Sequence, residues 1–429
     1  MRHLVLVLSL LLFKIFVPNA SLKIRSRRLN TLLVSVALIA SPPPEVSWLP
    51  IAPSSIAHAA LAPLADVGVR EFLVKDGPQF LRLSIPVGKG ASFTEDKESI
   101  MLKGAQESLE LVRLRFEQVG TSNPAAWGAA LKDAVDANNI VKSLVTYLIS
   151  STDPPQSQRI LVEDLIPELT NLCEATRLKE IGPTLAAQEK AADALARLRL
   201  LELQPKTLPF KIPDEYANLP RLMGRARVEM IVESKRGFRL DDGKTVVKQL
   251  PVTVELDGYH FPLTAGNFVD LVGKKFYDNM LFQKVEELTV QTGRPLKGDG
   301  YVDPTTGETR IVPLELFYKK DKEPVYGITS DDDLRSTDTM LLPFQAYGAI
   351  GMARDNEEPD SGSSQFFLLK WQQALVAPGR NTLDGFYSCF GYVVSNNAEL
   401  LGSATLQDNL KIVSAKVIQG TENYAANGK

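Results

Sequence analysis

Few side chains in this sequence can move a proton or hold a metal. Its three histidines are His3, His58 and His260. The first two fall in an N-terminal stretch that reads as targeting sequence, which leaves His260, beside the turn signal Asp257-Gly258, as the one imidazole of the processed chain. A Ser-His-Asp triad could be built only on it, and a histidine-rich metal site cannot be built at all. The two cysteines, Cys173 and Cys389, supply neither a disulfide framework nor a thiolate metal site. They read as two buried thiols, with a regulatory disulfide between the halves as the alternative. Asp331-Asp332-Asp333 lacks a spaced ligand set and reads as a helix start or solvated turn. Lys297-Gly298-Asp299-Gly300 and Gly88-Lys89-Gly90 are turn signals rather than phosphate loops. No carboxylate pair stands out. This poverty suits chemistry that needs no general base, with two-carboxylate chemistry left open by counting.

Short motifs stand in a fixed order along the second half of the chain. Pro262-Leu263-Thr264-Ala265-Gly266-Asn267-Phe268 comes first, then Phe282-Gln283-Lys284-Val285 and Val290-Gln291-Thr292-Gly293. Gly348-Ala349-Ile350-Gly351-Met352-Ala353 and Gly362-Ser363-Ser364-Gln365-Phe366-Phe367 follow, and Leu383-Asp384-Gly385 and Cys389-Phe390-Gly391 close the series. The order and spacing resemble those of the cyclophilins, the cyclosporin-type peptidyl-prolyl isomerases, from about Leu222 to Glu422. The resemblance implies an eight-stranded antiparallel barrel with two capping helices. It also implies catalysis of prolyl cis-trans isomerisation, with no cofactor and no metal.

The chemistry of that reaction says what the residues must do. Amide resonance gives the X-Pro bond a barrier of about 18–20 kcal/mol, and unaided it flips in tens of seconds. A catalyst must favour the twisted imide, whose nitrogen becomes pyramidal and basic. It needs an apolar slot for the ring, a cationic donor aimed at that nitrogen, and donors that hold one flank while the other rotates. The resemblance puts Gln291 on the peptide-holding glutamine, Phe367 on the floor of the slot and Leu383 on its wall, with Met352, Ala353 and Gln365 along the groove. Lys284 falls where the family has its catalytic arginine. Leu288 replaces a phenylalanine, Thr289 a methionine, Gln283 and Tyr387 two histidines, and Thr382 a tryptophan. Arginine presents a planar fork of donors, whereas lysine is a hydrated point charge on a flexible stem. Losing one well-placed transition-state donor costs about 2.7–4 kcal/mol. Glu286-Glu287 could also draw the ammonium away. The residues therefore leave two functions open: an isomerase with a substituted donor, or a barrel that binds proline-containing loops without turning them over.

Two kinds of element must position these residues. From Asp96 to about Gln204 apolar residues recur at helical spacing. Leu102, Leu109, Val112 and Phe116 mark one stretch, and Trp127, Leu131, Ile140 and Leu148 a second, with Asn123-Pro124 at its start. A third runs through Leu161, Leu165, Leu169 and Leu172, interrupted near Gly182-Pro183 before Thr184 to Leu203. Leu195, Leu198 and Leu201 read as one face of a bundle helix rather than a zipper. These helices predict an antiparallel bundle. Pro205, Pro209, Pro213 and Pro220 make a stiff extended linker. Beyond it the period becomes two, as in Val252 to Leu256, and Thr264 reads as an N-cap. An insertion from Arg294 to Phe344 carries a hairpin tip at Asp303 to Gly307 and a candidate edge strand at Ile311 to Leu316, with Pro313 against a central one. The expectation is an α+β protein of two domains: targeting sequence over 1–59, helical bundle over 60–204, linker over 205–221 and cyclophilin-like barrel over 222–424.

Composition narrows the setting. The 429 residues are 44% apolar and 23% charged, with net charge −3, which leaves no electrostatic footprint for nucleic acid. Residues 1–44 contain no Asp or Glu. Their apolar runs, Leu4 to Phe13 and Leu32 to Ala40, are too short to span a bilayer as helices, so membrane association is peripheral at most. Arg27-Arg28 before the second run resembles a twin-arginine signal, and Ala57-His58-Ala59 is a small-residue cleavage site. The segment reads as a bipartite plastid and thylakoid signal, with a secretory signal over Met1 to Ala20 as the alternative. Export signal, bundle and altered barrel together resemble the two-domain cyclophilins of the chloroplast thylakoid lumen. That resemblance implies proline-containing clients, a role in photosystem II assembly and maintenance, and links to a thylakoid phosphatase. The linker also allows the bundle to dock on the barrel and shade its groove.

Overall fold

The computed structural model describes residues 76–90, 93–150, 153–203, 208–240, 243–370, 383–395 and 398–426. The targeting stretch, the start of the proline-rich segment and Thr382 lie outside the described residues. Among the described residues seven helices come first: α1 (Gly77–Leu83), α2 (Lys97–Val119), α3 (Pro124–Ser143), α4 (Val145–Ile149), α5 (Pro154–Arg159), α6 (Ile166–Leu178) and α7 (Ile181–Glu202). Local chemistry starts them. Asp96 and Ser99 form a reciprocal capping box on α2, and the Asn123 side chain accepts the Ala125 N–H ahead of Pro124 on α3, satisfying donors that a helix start leaves orphaned. A π-helical turn, Ile160–Leu165, joins α5 to α6. Gly182-Pro183 does not interrupt α7 but sits in its first turn, where the missing proline N–H has no partner to lose. Leu109, Trp127, Ala134, Leu169 and Leu195 are among the residues of one shared bundle core.

The second half is antiparallel sheet. Strands β1 (Arg221–Leu222), β2 (Arg225–Arg239) and β3 (Val246–Asp257) precede helix α8 (Pro262–Gly273). Then come β4 (Met280–Leu281), β5 (Lys284–Val285), β6 (Thr289–Thr292), β7 (Glu315–Leu316), β8 (Val325–Tyr326), β9 (Ala349–Met352), β10 (Phe366–Leu369), β11 (Cys389–Val393), β12 (Lys411–Gln419) and β13 (Tyr424–Ala425). Nine of these form one sheet in the order β4-β12-β2-β3-β11-β9-β10-β6-β5. Its two edge strands, β4 and β5, are separated only by Phe282 and Gln283. Three peptide steps reach at most about 11 Å, so the two edges of the sheet must lie side by side. Counted as one broken strand, Met280 to Val285 closes an eight-stranded antiparallel barrel. Closure removes the edges that would otherwise invite pairing with other chains.

Helix α8 begins at Pro262, two residues before the expected cap at Thr264, because Pro262 already has the φ of a first turn. Its cap comes from far along the chain. The buried Glu315 carboxylate accepts the N–H groups of Leu263 at 3.3 Å and Thr264 at 2.9 Å. The expected edge strand at Ile311 to Leu316 is also smaller than read. Only Glu315–Leu316 is strand, and it pairs with β8 in a separate two-stranded ribbon. Pro313 denies the ladder a donor just before it. The hairpin tip is present, with the Asp303 N–H bonded to the Glu308 carbonyl at 2.8 Å.

Helix α1 lies between the two halves. Phe80 and Leu81 belong to the barrel core, and Phe80 stacks on Tyr392 of β11 with ring centroids 5.6 Å apart. A Cβ on Gly77 would lie 2.5 Å from that of Tyr392, so glycine is what lets the backbone come this close. Arginines from both halves take up the free carbonyls at the end of α1. Arg225 of β2 donates to the Leu81 carbonyl at 3.1 Å, and Arg199 of α7 to the Ile85 carbonyl at 2.8 Å. On the other side Arg82 pairs with the buried Glu110 of α2 at 2.6 Å. The segment after α7 is not a bare spacer either: Phe210, Ile212 and Tyr216 pack with Val312, Leu263 and Tyr326.

Candidate peptide-binding groove

Strand register builds the site. Lys284 of β5 stands directly opposite Gln291 of β6. Gln291 is opposite Phe367 of β10, and Phe367 is opposite Gly351 of β9. Directly paired residues share a sheet face, so a cation, an amide and an aromatic ring stand in one row across four strands. Gln365 and Ala353, two residues along from Phe367 and Gly351, continue that face. The Ala353 N–H donates to the Gln365 carbonyl at 2.9 Å. Met352 is different. It pairs with Phe366, so its side chain takes the other face of the sheet and joins the barrel core, 4% exposed. The structure therefore separates Met352 from the other groove residues, because the two-residue period of a strand turns neighbours to opposite faces.

Second contacts hold the row in place. The Gln291 amide donates to the Gln365 side-chain oxygen at 3.0 Å, and the Gln365 amide donates to the Asp299 carbonyl at 2.8 Å. Gly293 allows this approach. It has φ +98°, and a Cβ there would lie 2.2 Å from the Ser364 carbonyl oxygen. Phe367 is framed by two rings. Phe344 stacks on it at 5.5 Å with 23° between planes, and Tyr387 meets it edge-on at 5.5 Å. Gly351 makes room for both Phe344 and Phe367, since a Cβ would fall 2.4 Å from Phe367 Cζ and 2.8 Å from Phe344. The Leu383 carbonyl accepts the N–H groups of Phe386 and Tyr387 at 3.1 Å each, and Asp384 accepts the Phe344 N–H at 2.7 Å. Leu288 stands at the rim, 45% exposed.

Electrostatically the groove is loosely supplied. Lys284 is exposed, and among the described residues it has no ion pair or side-chain hydrogen bond. Glu286-Glu287 does not capture it; the Glu286 carbonyl is instead used by Lys370 at 2.8 Å. The Gln283 amide donates to the Arg294 carbonyl at 3.0 Å. Phe344 and Arg354 are brought to the groove by the fold and stand in none of the sequence motifs. Phe344 sits at the end of the insertion, outside every one of the ordered motifs. Arg354 could have been found from its place directly after Met352-Ala353. His260 takes no part in the groove: its Nδ1 lies 2.8 Å from the buried Asp257 carboxylate and its ring packs edge-on to Phe317. Cys173 and Cys389 lie in separate cores, so the alternative of a disulfide between the halves falls away.

An amide pair, a lone cation and an aromatic floor in one row can hold an extended peptide and polarise a carbonyl or imide. Residues 245–420 match the family profile described as cyclophilin type peptidyl-prolyl cis-trans isomerase/CLD. A putative thylakoid lumen peptidyl-prolyl cis-trans isomerase of Synechocystis is 40% identical over 302 residues, covering 69% of this chain and 74% of that relative. The chain belongs to the cyclophilin-type peptidyl-prolyl cis-trans isomerases. The Synechocystis alignment is longer than the strand-rich half of this cyclophilin, so the likeness reaches into the helices. The chloroplastic isomerases CYP38 and CYP37 of Arabidopsis thaliana are 42% identical over 218 residues and 33% over 256 residues. They cover 51% and 58% of this cyclophilin, which spans about half the length of each plant relative (48% and 52%). The relatives are thus thylakoid lumen and chloroplast cyclophilins, a family that binds proline-containing peptides.

Proposed function

We propose that this cyclophilin is a slow prolyl isomerase of the thylakoid lumen, working on proline-containing segments of lumenal clients such as photosystem II subunits. The row Lys284–Gln291–Phe367 is the observation that carries this reading. It supplies a ring floor, a peptide-holding amide and a positive charge in the order the twisted imide requires. Lys284 is the donor toward the imide nitrogen, weaker than the family's arginine because nothing pre-orients its ammonium. A protease-free isomerisation assay on an Ala-Pro peptide tests it. Activity above the uncatalysed rate that falls about tenfold or more in Lys284→Ala supports the reading. An unchanged rate in Lys284→Ala removes lysine from the donor role.

A second reading has its own support. Phe367 is only 5% exposed beneath Phe344 and Tyr387, so the proline slot is tight and the barrel could hold client loops without turning them over. Micromolar peptide binding with no rate enhancement would favour it. The contact of α1 with β11 supports a regulatory role for the bundle, and equal peptide affinity for the whole protein and for the isolated barrel would rule that role out.

A further inference from the structure

Arg354 follows Ala353 at the end of β9 and is held as rigidly as Lys284 is free. Its Nε donates to the Phe386 carbonyl at 2.6 Å. Its Nη1 donates to the Asp355 carbonyl at 2.6 Å and, at 3.4 Å, to that of Asn356. These contacts set the guanidinium beside the Tyr387 ring, with Cζ 5.3 Å from its centroid. Tyr387 is the residue that stands edge-on to Phe367, and its hydroxyl is tied to Asn356 at 3.0 Å. All of the partners are neutral carbonyls. Among the described residues no carboxylate pairs with Arg354, although Asp355, Glu357 and Glu358 are exposed close by in sequence, and Nη2 has no hydrogen-bond partner. The result is a half-buried, pre-oriented cation with a donor unspent, at the aromatic wall of the groove.

We propose that Arg354 is a second client-holding residue of this groove, whose Nη2 donates to a backbone carbonyl of the bound proline-containing peptide. This rests on the reading of the groove as the peptide site. Lys284 lies two strands from Phe367 on one side, and Arg354 comes two residues after the last residue of β9, the strand adjoining it on the other. Strands are spaced about 4.8 Å apart, so β5 and β9 lie about 14 Å apart across the groove floor. An extended chain advances about 3.3 Å per residue, so that span takes about four residues, enough for the X-Pro pair and one residue on each side. Isomerisation needs one flank of the imide fixed while the other turns. A rigid guanidinium is better suited to the fixing, because its fork loses little freedom on bonding, and a mobile ammonium is better suited to following the nitrogen.

The test uses the whole protein and a blocked tetrapeptide with a central Ala-Pro bond, with affinity measured by titration calorimetry and turnover by exchange spectroscopy. Losing one charge-assisted hydrogen bond should weaken binding of the peptide by Arg354→Gln about 10- to 100-fold. Turnover at saturation should change less, and Arg354→Lys should fall between. Millimolar guanidinium should restore part of the affinity of Arg354→Gln. Asn356→Ala frees the Tyr387 hydroxyl but keeps the guanidinium and the backbone carbonyls that orient it, and should lose clearly less affinity than Arg354→Gln does. Arg354 has only a structural role if Asn356→Ala and Arg354→Gln lose affinity equally and added guanidinium rescues neither. Wild-type affinity in Arg354→Gln overturns the proposal while leaving the groove intact. No binding by the wild type overturns the groove reading itself, and this inference with it.

Discussion

At the scale of single residues the proposed donor, Lys284, has the largest consequence, because it offers an ammonium where the family resemblance implies a guanidinium. Register places Lys284 opposite Gln291, so the charge shares a sheet face with the amide. What is missing is orientation: the side chain is exposed and unpartnered among the described residues. A fork that donates twice in a fixed plane should recover much of the lost transition-state stabilisation. Lys284→Arg is therefore expected to raise kcat/KM by about tenfold or more, read in a direct isomerisation assay with little change in peptide affinity. A fall in activity would show that the groove has been reshaped around lysine. The neighbouring glutamines explain why the site stays ordered even so, since each amide spends a hydrogen bond on holding the next.

At the scale of elements, the insertion between β6 and β9 ties the groove to helix α8. Its Glu315 is fully buried and caps the α8 N-terminus. Burial pushes this carboxyl up to about 7, against the opposing pull of the Thr264 and Leu263 N–H groups. The charged form is thus disfavoured in the fold relative to the unfolded chain, where the ordinary value is 4.5. Stability from this group is fully present below about pH 4.5 and is lost as pH rises through 7, on the order of 3 kcal/mol in all. The neutral amide in Glu315→Gln keeps an acceptor and cannot ionise. The variant should show a flatter dependence of unfolding free energy between pH 4.5 and 7, measured by denaturant titration at several pH values. An unchanged slope would mean that Glu315 does not titrate in this window.

At the scale of the whole molecule, α1 makes bundle and barrel mutually dependent. Phe80 is 3% exposed and stacked on Tyr392, and Arg199 and Arg225 grip the end of the same helix from opposite sides. Phe80→Ala should cost about 3–5 kcal/mol, as for other buried phenylalanines. The wild type should unfold in one calorimetric transition, and two well-separated transitions would disprove this coupling. The sequence alone carried the helical periodicity, the change to period two and the ordered motifs, because those patterns are local or sit at fixed spacings. It also marked Gln291, Gln365 and Phe367 by short contiguous motifs, and strand register sets the three on one sheet face. Only the tertiary structure decided that Met352 faces the core, since face is set by pairing with Phe366 rather than by adjacency to Ala353. Only it could supply the α8 cap from Glu315, the Phe344 stack on Phe367 and the wedging of α1 between the halves. Each of those joins residues far apart in the chain, and burial and register, not local propensity, bring them together.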